Sequence, residues 1–267
     1  MSFQPIIPVG GVVGWEFLKR TQVRQQESFA RSPAVEQATN SFIRDFGKIN
    51  TADDLVGNRR ALSVVLGAFG LQDDLDNRAF IRKVITDGVS DRSALANRLA
   101  DKRYLALAQE MAHLAPGGTG TPAAGLAESL ARRYQASEFE VAVGNSDETM
   151  RFSLAFARKM PEIADSLRSD TARWYQVLGD PPTRRVMETA LGLPKEFAAL
   201  DIDEQVKRLQ SAVSKRFGTD DMRELAAPEM VEKITQRFLL MDQLRETQAG
   251  MSGAAVALTL LSNLRAG

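Results

Sequence analysis

The sequence predicts an all-α fold with many helices, arranged as two similar helical halves. Apolar residues recur at intervals of three and four along most of the chain, and the strict alternation typical of strands is almost absent. Helix-capping residues precede several of these stripes and glycines follow them. Short residue groups also recur about 125 positions apart. The first two observations predict the helices, and the third favours an internal duplication.

The first well-marked helix is expected to begin after Ser32, because serine followed by proline is typical of an N-cap and the first helical position. Gly47 is predicted to end it. Thr51 and Asp54 have the spacing of a capping box and predict a second helix start. The apolar face of the first helix comprises Val35, Thr39, Phe42, Ile43 and Phe46. A later helix is predicted to end at Gly218, and its apolar face comprises Ile202, Val206, Leu209, Val213 and Phe217.

The stretch "LSVVLGAFGLQDDLDNRAFIRK", residues 62–83, predicts two helices that meet at a corner. Gly67 interrupts an apolar face and costs about 1 kcal/mol relative to alanine, so we expect another helix to approach it closely. Gly70 is predicted to end the helix in the left-handed conformation, with Leu71 folded back onto Leu66 as in a Schellman cap. The face itself comprises Leu62, Val65, Leu66 and Phe69.

Three aspartates, Asp73, Asp74 and Asp76, follow this corner. A calcium loop fits them poorly, because Arg78 stands at a ligand position and the mid-loop glycine and closing glutamate are absent. Carboxylates suit the first turn of a helix, where they cap free N–H groups and face the positive end of the helix dipole. We therefore predict a capped helix start rather than a metal site.

The clearest break in the helical pattern lies at residues 116–125, "PGGTGTPAAG", where six of ten residues are glycine or proline. This predicts a linker between an N-terminal half, residues 1–115, and a C-terminal half, residues 126–250, followed by an apolar tail, residues 251–267. A long surface loop within one domain is the alternative.

The predicted duplication rests on two matches between the halves. Residues 29–31 have the same sequence as residues 156–158, and the Arg-Arg pair at 59–60 recurs at 184–185. Chance similarity between amphipathic helices is the alternative explanation.

Composition excludes several kinds of chemistry. The chain has no cysteine, which excludes disulfides, thiolate zinc sites and cysteine nucleophiles. His113 is the one histidine, so histidine-paired nucleophiles lack their parts. Lysine plus arginine equals aspartate plus glutamate, 34 each, so no global positive charge predicts nucleic-acid binding. We expect no enzyme activity and no catalytic, cofactor or metal site, although carboxylates brought together by folding could still form one.

No targeting segment is expected. Residues 1–15 lack a basic leader and carry two prolines, so they do not resemble a secretory signal. The longest apolar run near the end, residues 253–261, is far shorter than the roughly 20 residues that a membrane span requires.

The C-terminal region carries the candidate contacts with other proteins. Ile234, Phe238 and Met241 repeat with the spacing of a coiled-coil heptad. "AAVALTLLSNL", residues 254–264, is mostly apolar and uncharged, and it includes Leu258 and Leu261. This tail either packs on the protein's own core or docks onto a partner or a second copy.

The chain resembles a bacterial family called domain of unknown function 1217. The resemblance rests on Thr21, Gln25 and Phe29, on "INTADDLVGNRRALSVVLGAFGL" (49–71), on "FIRKVITDG" (80–88) and on "LANRLADKRYLALAQ" (95–109), with a weaker likeness to about residue 240. Members of this family tend to be encoded among flagellar genes of alphaproteobacteria, and no catalytic residues are established for them.

The resemblance implies a structural or assembly role in the flagellum, acting through protein–protein contacts, in the cytoplasm or at the flagellum. Two alternatives remain: a cytoplasmic flagellar chaperone or regulator, and a soluble enzyme or small-molecule binder with an unmarked carboxylate site.

Overall fold

The computed structural model describes residues 3–166 and 169–264, with side chains described as far as residue 247. Within these ranges the chain forms fourteen α-helices and no strand, which confirms the all-α prediction. In chain order the helices are α1 (Gly11–Ala30), α2 (Pro33–Asp45), α3 (Ala52–Gly57), α4 (Arg59–Ala68), α5 (Arg78–Asp87), α6 (Leu95–Arg98), α7 (Arg103–Glu110), α8 (Leu126–Gly144), α9 (Glu148–Asp165), α10 (Asp170–Gly179), α11 (Pro181–Leu191), α12 (Ile202–Phe217), α13 (Met222–Leu225) and α14 (Pro228–Leu264).

Most of the predicted helix boundaries are confirmed, but Gly47, predicted to end α2, lies within the 3-10 helix Phe46–Lys48 that follows the end of α2 at Asp45. Ser32 is the N-cap of α2 and Pro33 its first residue. Thr51 and Asp54 form the predicted capping box, in which the Asp54 N–H donates to the Thr51 hydroxyl at 3.1 Å and the Thr51 N–H donates to the Asp54 carboxylate at 3.0 Å. Gly218 ends α12 with a φ of +87°.

The predicted apolar faces are buried except at one position each. In α2, Val35, Thr39, Phe42 and the following Phe46 are buried, whereas Ile43 is 38% exposed. In α12 the buried residues include Val206, Leu209, Val213 and Phe217, whereas Ile202, its first residue, is 46% exposed. An apolar face predicted from residue spacing alone therefore includes residues that lie at the edge of the buried surface and remain partly exposed.

The corner after α4 has the predicted Schellman geometry. Gly70 has a φ of +70°. Its N–H donates to the Gly67 carbonyl at 3.0 Å, and the Leu71 N–H donates to the Leu66 carbonyl at 2.8 Å. Gly67 itself faces α8, where a Cβ would stand 2.6 Å from Cδ2 of Tyr134, so the predicted close helix approach is confirmed.

The predicted role of the aspartates as helix caps is wrong. After a short 3-10 helix at Gln72–Asp74, α5 begins at Arg78, and its N-cap is Asn77, whose side chain makes no capping hydrogen bond. Asp74 instead accepts hydrogen bonds from Asn77 and from the Tyr104 hydroxyl. Asp76 pairs with Arg59. The carboxylates bind neighbouring side chains because the intervening 3-10 turn keeps them away from the N–H groups of α5.

Among the described residues, the buried apolar side chains form two clusters that α8 joins. The first cluster contains buried residues between Phe42 and Ala131, and the second contains residues from α1, α2 and the chain from Phe139 to Leu239. Helix α8 contributes Leu130 to the first and Phe139 to the second. Its 19 residues span roughly 28 Å, enough to reach both.

The two clusters do not divide the chain at residues 116–125. These residues form turns and bends between the 3-10 helix Ala112–Leu114 and α8. Helix α1 belongs to the second cluster through Trp15 and Leu18, although it opens the chain. The N-terminal helix therefore packs with the C-terminal half, which short-range sequence patterns do not reveal.

Two segments of the chain repeat the same succession of structures. In the first, Asn58 both ends α3 and caps α4, accepting the Ala61 N–H at 3.1 Å. In the second, Asp180 both ends α10 and caps α11, accepting the Thr183 N–H at 3.1 Å. The shared role of these residues supports the predicted duplication.

The likeness continues past the second helix of each segment. Helix α11 ends as α4 does: Gly192 has a φ of +67° and donates to Thr189 at 3.0 Å, and Leu193 donates to Glu188 at 2.9 Å. A 3-10 helix and an amphipathic helix follow in both, namely Gln72–Asp74 with α5 and Lys195–Ala199 with α12. Helices of four residues, α6 and α13, come next.

Candidate functional site

An open cleft of about 290 Å³ lies where α7, α8, α9 and α10 meet. Its walls carry four cationic side chains, Lys102, Arg103, Arg133 and Lys159, and three acidic ones, Glu110, Glu162 and Asp180. A second cavity of about 30 Å³ shares Arg103, Lys159 and Asp180 with the cleft and adds Arg151, Arg158 and Glu140. The charged side chains come from both parts of the chain, so folding alone brings them together.

Several of these charges form ion pairs. Arg133 Nη1 lies 2.5 Å from Glu110 Oε2, with its guanidinium 5.9 Å from the ring centroid of Phe69. Arg103 binds both oxygens of Asp101, with Nη2 at 2.7 Å from Oδ2, and also donates to the Gly70 carbonyl. Arg103 thus ties the corner after α4 to α7.

The most buried pair joins α8 to α9. Arg158 donates from Nε and Nη2 to the two carboxylate oxygens of Glu140, at 2.6 and 2.8 Å. Burial alone would lower the pKa of this guanidinium, but the hydrogen bonds and the charge of Glu140 outweigh burial and raise the pKa above its ordinary value. Arg158 is therefore a permanent cation at the wall of the second cavity.

Asp180 lies between the two cavities and is 8% exposed. Its carboxylate accepts hydrogen bonds from the backbone N–H and the hydroxyl of Thr183, in the first turn of α11. The negative charge is further compensated by Arg103 and Arg158, whose pKa values it helps to raise. Asp180 is thus primarily a helix cap.

Three polar groups beside these cavities are less well compensated. Arg158 Nη1 is buried without a hydrogen-bond acceptor among the described residues, although Glu162 Oε1 lies 3.6 Å away. Gln72 Oε1 is buried without a donor in the same part of the chain. Arg151 is half-buried, and the described ranges contain no acid paired with it.

His113 lies away from the cleft, beneath the loop at residues 116–125. Its carbonyl accepts the Gly120 N–H at 2.8 Å, and its ring stands edge-on to Phe46 with centroids 6.0 Å apart. Burial lowers the pKa of its imidazole. In the described part of the chain, no three histidine or carboxylate side chains are grouped as they would be to hold a metal ion.

The predicted contact residues on α14 lie in different environments. Ile234 and Phe238 are fully buried in the second cluster, so a partner cannot reach them in this fold, and their assignment as contact residues is corrected. The spacing of three and four serves packing against the protein's own helices as well as it serves a coiled coil. Met241 is half-buried. Leu258 and Leu261 lie on α14, but their side chains are outside the described residues.

Sequence reasoning missed the exposed pair on the same helix, Leu240 and Leu244. These side chains are 53% and 55% exposed and lie one turn apart. A signal was available, since Met251 and Leu258 follow Leu244 at intervals of seven. Among the described helices, none is both long and apolar enough to cross a lipid bilayer.

A family model described as "Protein of unknown function (DUF1217)" matches residues 68–231, more than half of the chain. The chain belongs to this family. The resemblance noted in the sequence is therefore confirmed, although the DUF1217 match covers mainly α5 to α13. No curated protein matches the sequence.

A crystal structure of an Agrobacterium tumefaciens protein is similar to this DUF1217 chain. The two superpose with a TM-score of 0.72 at 26% sequence identity. The match covers 91% of this chain and 99% of the other. The likeness therefore extends well beyond the residues that the DUF1217 model matches.

Proposed function

We propose that this protein is a non-enzymatic helical protein that acts through protein–protein contacts in the structure or assembly of the bacterial flagellum. The observation that carries the contact role is the exposure of Leu240 and Leu244 on one face of α14. Fully burying an exposed leucine side chain is worth about 1.5–3 kcal/mol, so each of these half-exposed leucines has roughly half of that to contribute in a complex. Two adjacent exposed leucines therefore favour association with another protein surface.

The sequence beyond these leucines extends the same pattern. Helix α14 continues to Leu264, and no charged residue occurs between Glu246 and Arg265. Threonine, alanine and leucine follow Leu240 at successive intervals of seven, at positions 247, 254 and 261. An uncharged helix with this periodicity is typical of a segment that packs against another helix.

The flagellar setting, in the cytoplasm or at the flagellum, is proposed from the family resemblance. A deletion strain tests it, since loss of swimming with normal growth would support a flagellar role. Electron microscopy of that strain would then distinguish an assembly role, in which filaments are missing, from a regulatory role, in which filaments are present but still. Normal swimming would contradict the proposal.

The contact role is tested by the double variant Leu240→Glu/Leu244→Glu, with Ile202→Glu as the matched control. All three side chains are about half exposed, so neither variant should lower the melting temperature appreciably. We expect only the double variant to lose self-association, measured by light scattering, or capture of flagellar proteins, and to fail to restore swimming. Unchanged association and swimming would contradict the contact role.

Truncation after Gly250 separates docking from folding. If residues 251–267 dock onto another protein, the shortened chain keeps its melting temperature and loses association. If they form part of the protein's own core, it loses several kcal/mol of stability, as large apolar deletions do.

A further inference from the structure

We infer that the cleft between α7, α8, α9 and α10, together with the adjoining small cavity, binds a small molecule that carries phosphate or carboxylate groups. This inference is independent of the contacts proposed for α14. Six cationic side chains line the two cavities: Lys102, Arg103, Arg133, Arg151, Arg158 and Lys159.

The local charge is positive although the whole chain is neutral. Four acidic side chains, Glu110, Glu140, Glu162 and Asp180, line the same cavities, and Asp101 pairs with Arg103 from beside them. These groups comprise one more cation than acids, and Arg151 forms no ion pair with an acid among the described residues. An anion that entered the second cavity would meet this free charge.

The position of Arg151 is defined by packing. It stands near the beginning of α9, and Gly144, at the end of α8, faces its side chain. A Cβ at position 144 would lie 2.5 Å from Cδ of Arg151, so glycine leaves the space that the arginine stem fills. A side chain whose stem is held by packing loses less conformational entropy when it binds a ligand than a freely mobile one does.

A second donor in the same cavity lacks an acceptor. Arg158 Nη1 is buried without a hydrogen bond in the described structure, while Nε and Nη2 are held by Glu140. Buried donors are nearly always hydrogen-bonded in native proteins. An oxyanion could accept from Arg158 Nη1 and from Arg151 together, because guanidinium groups match the geometry of phosphate and carboxylate oxygens.

The acids in the cleft do not prevent this binding. Asp180, the most central of them, accepts from the backbone and hydroxyl of Thr183 and is flanked by Arg103 and Arg158. Glu140 is held by Arg158 and Glu110 by Arg133. Their charges are already compensated within the protein.

The dimensions define the class of ligand. A cleft of about 290 Å³ lies at the lower end of the range for small-molecule sites. The oxyanion would lie in the small cavity beside Arg151, and the remainder of the ligand would fill the larger cleft against Phe69, which lines both. A small phosphorylated or polycarboxylate molecule fits this arrangement.

Titration calorimetry and thermal melting of the full-length protein test the inference, with inorganic phosphate, pyrophosphate and citrate as probes. Sodium chloride at matched ionic strength is the control. We expect saturable binding of at least one probe and a melting temperature that rises with its concentration. Stronger binding of pyrophosphate indicates a phosphorylated ligand, and stronger binding of citrate indicates a polycarboxylate.

The variant Arg151→Gln should weaken this binding by about tenfold or more, since it removes the free charge. Arg208→Gln is the matched control, because Arg208 is exposed, pairs with Glu204 on α12 and lines neither cavity. Lys159→Gln serves as a second variant if Arg151→Gln unfolds. The absence of saturable binding by all three probes, or equal binding by the folded cleft variant and the control, would overturn the inference.

Discussion

Tyr134 packs its ring edge against Gly67, in the space that any larger residue at position 67 would occupy. A Cβ there would lie 2.6 Å from Cδ2 and 2.9 Å from Cε2 of Tyr134. This contact brings α4 against α8, the helix that contributes to both hydrophobic clusters. Because glycine has no side chain, Gly67 allows these two central helices to approach each other closely.

Gly67→Ala should lower the free energy of unfolding by about 1–3 kcal/mol, because overpacking outweighs the gain in helix propensity. Gly57→Ala is the control, since Gly57 is helical and has nothing within 4 Å of its Cβ position. Urea denaturation should show this control to be as stable as the native protein or slightly more so. A Gly67→Ala protein of native stability would contradict the packing argument.

Gly70→Val should destabilise the protein by more than about 1 kcal/mol, because a β-branched residue is strained at a φ of +70°. Gly47→Val should cost less, since Gly47 has no positive φ and open space at its Cβ position. Thermal and urea denaturation compare the two.

Calcium should not stabilise the corner after α4. Asp74 is bonded to Asn77 and Tyr104, and Asp76 to Arg59, so these carboxylates already have protein partners. Replacing Asp73 and Asp74 together should cost up to about 2 kcal/mol through lost local hydrogen bonds. A melting temperature that rises with calcium in the native protein, and not in the double variant, would show instead that the aspartates bind the ion.

Acid should weaken the fold through His113. Burial lowers the pKa of its imidazole below the ordinary value of 6.5, so the folded state binds the proton less readily than the unfolded state. This contribution to stability is complete above pH 6.5 and declines as the pH falls from there toward the lowered folded pKa. In His113→Phe, urea denaturation between pH 7.5 and pH 5 should show a smaller loss of stability than in the native protein; an equal loss would exclude His113 as a source.

Limited proteolysis should cut first within or beside residues 116–125, apart from the termini, and release fragments of roughly 115 and 140 residues. We expect the fragments to stay together on gel filtration under native conditions. Helix α8 begins the second fragment yet packs Leu130 into the cluster formed by the first. Resistance of this loop while other internal sites are cut, or fragments that separate without denaturant, would contradict this picture.

Local sequence patterns predicted the helical fold and several of the helix ends. The capping box at Thr51 and Asp54, the Schellman cap at Gly70 and the small-residue contact at Gly67 were all predicted from spacing. The two caps depend on residues within one or two turns of each other, so the chemistry of each short stretch decides them. The glycine at position 67 indicated a close helix approach, but its partner, Tyr134 on α8, is known only from the tertiary structure. The aspartate caps were predicted wrongly because a 3-10 turn of three residues displaced the start of α5.

Only the tertiary structure decided which helix faces pack against each other and which charged side chains lie close together. Ile234 and Leu240 both belong to regular apolar spacings on α14, yet the first is fully buried and the second is 53% exposed. The placement of α1 in the second cluster and the convergence of Arg103, Arg151 and Arg158 likewise join residues far apart in the chain. The spacing of apolar residues indicates that a helix has an apolar face. Which surface packs against that face depends on contacts between segments far apart in the chain, and no single short segment determines those contacts.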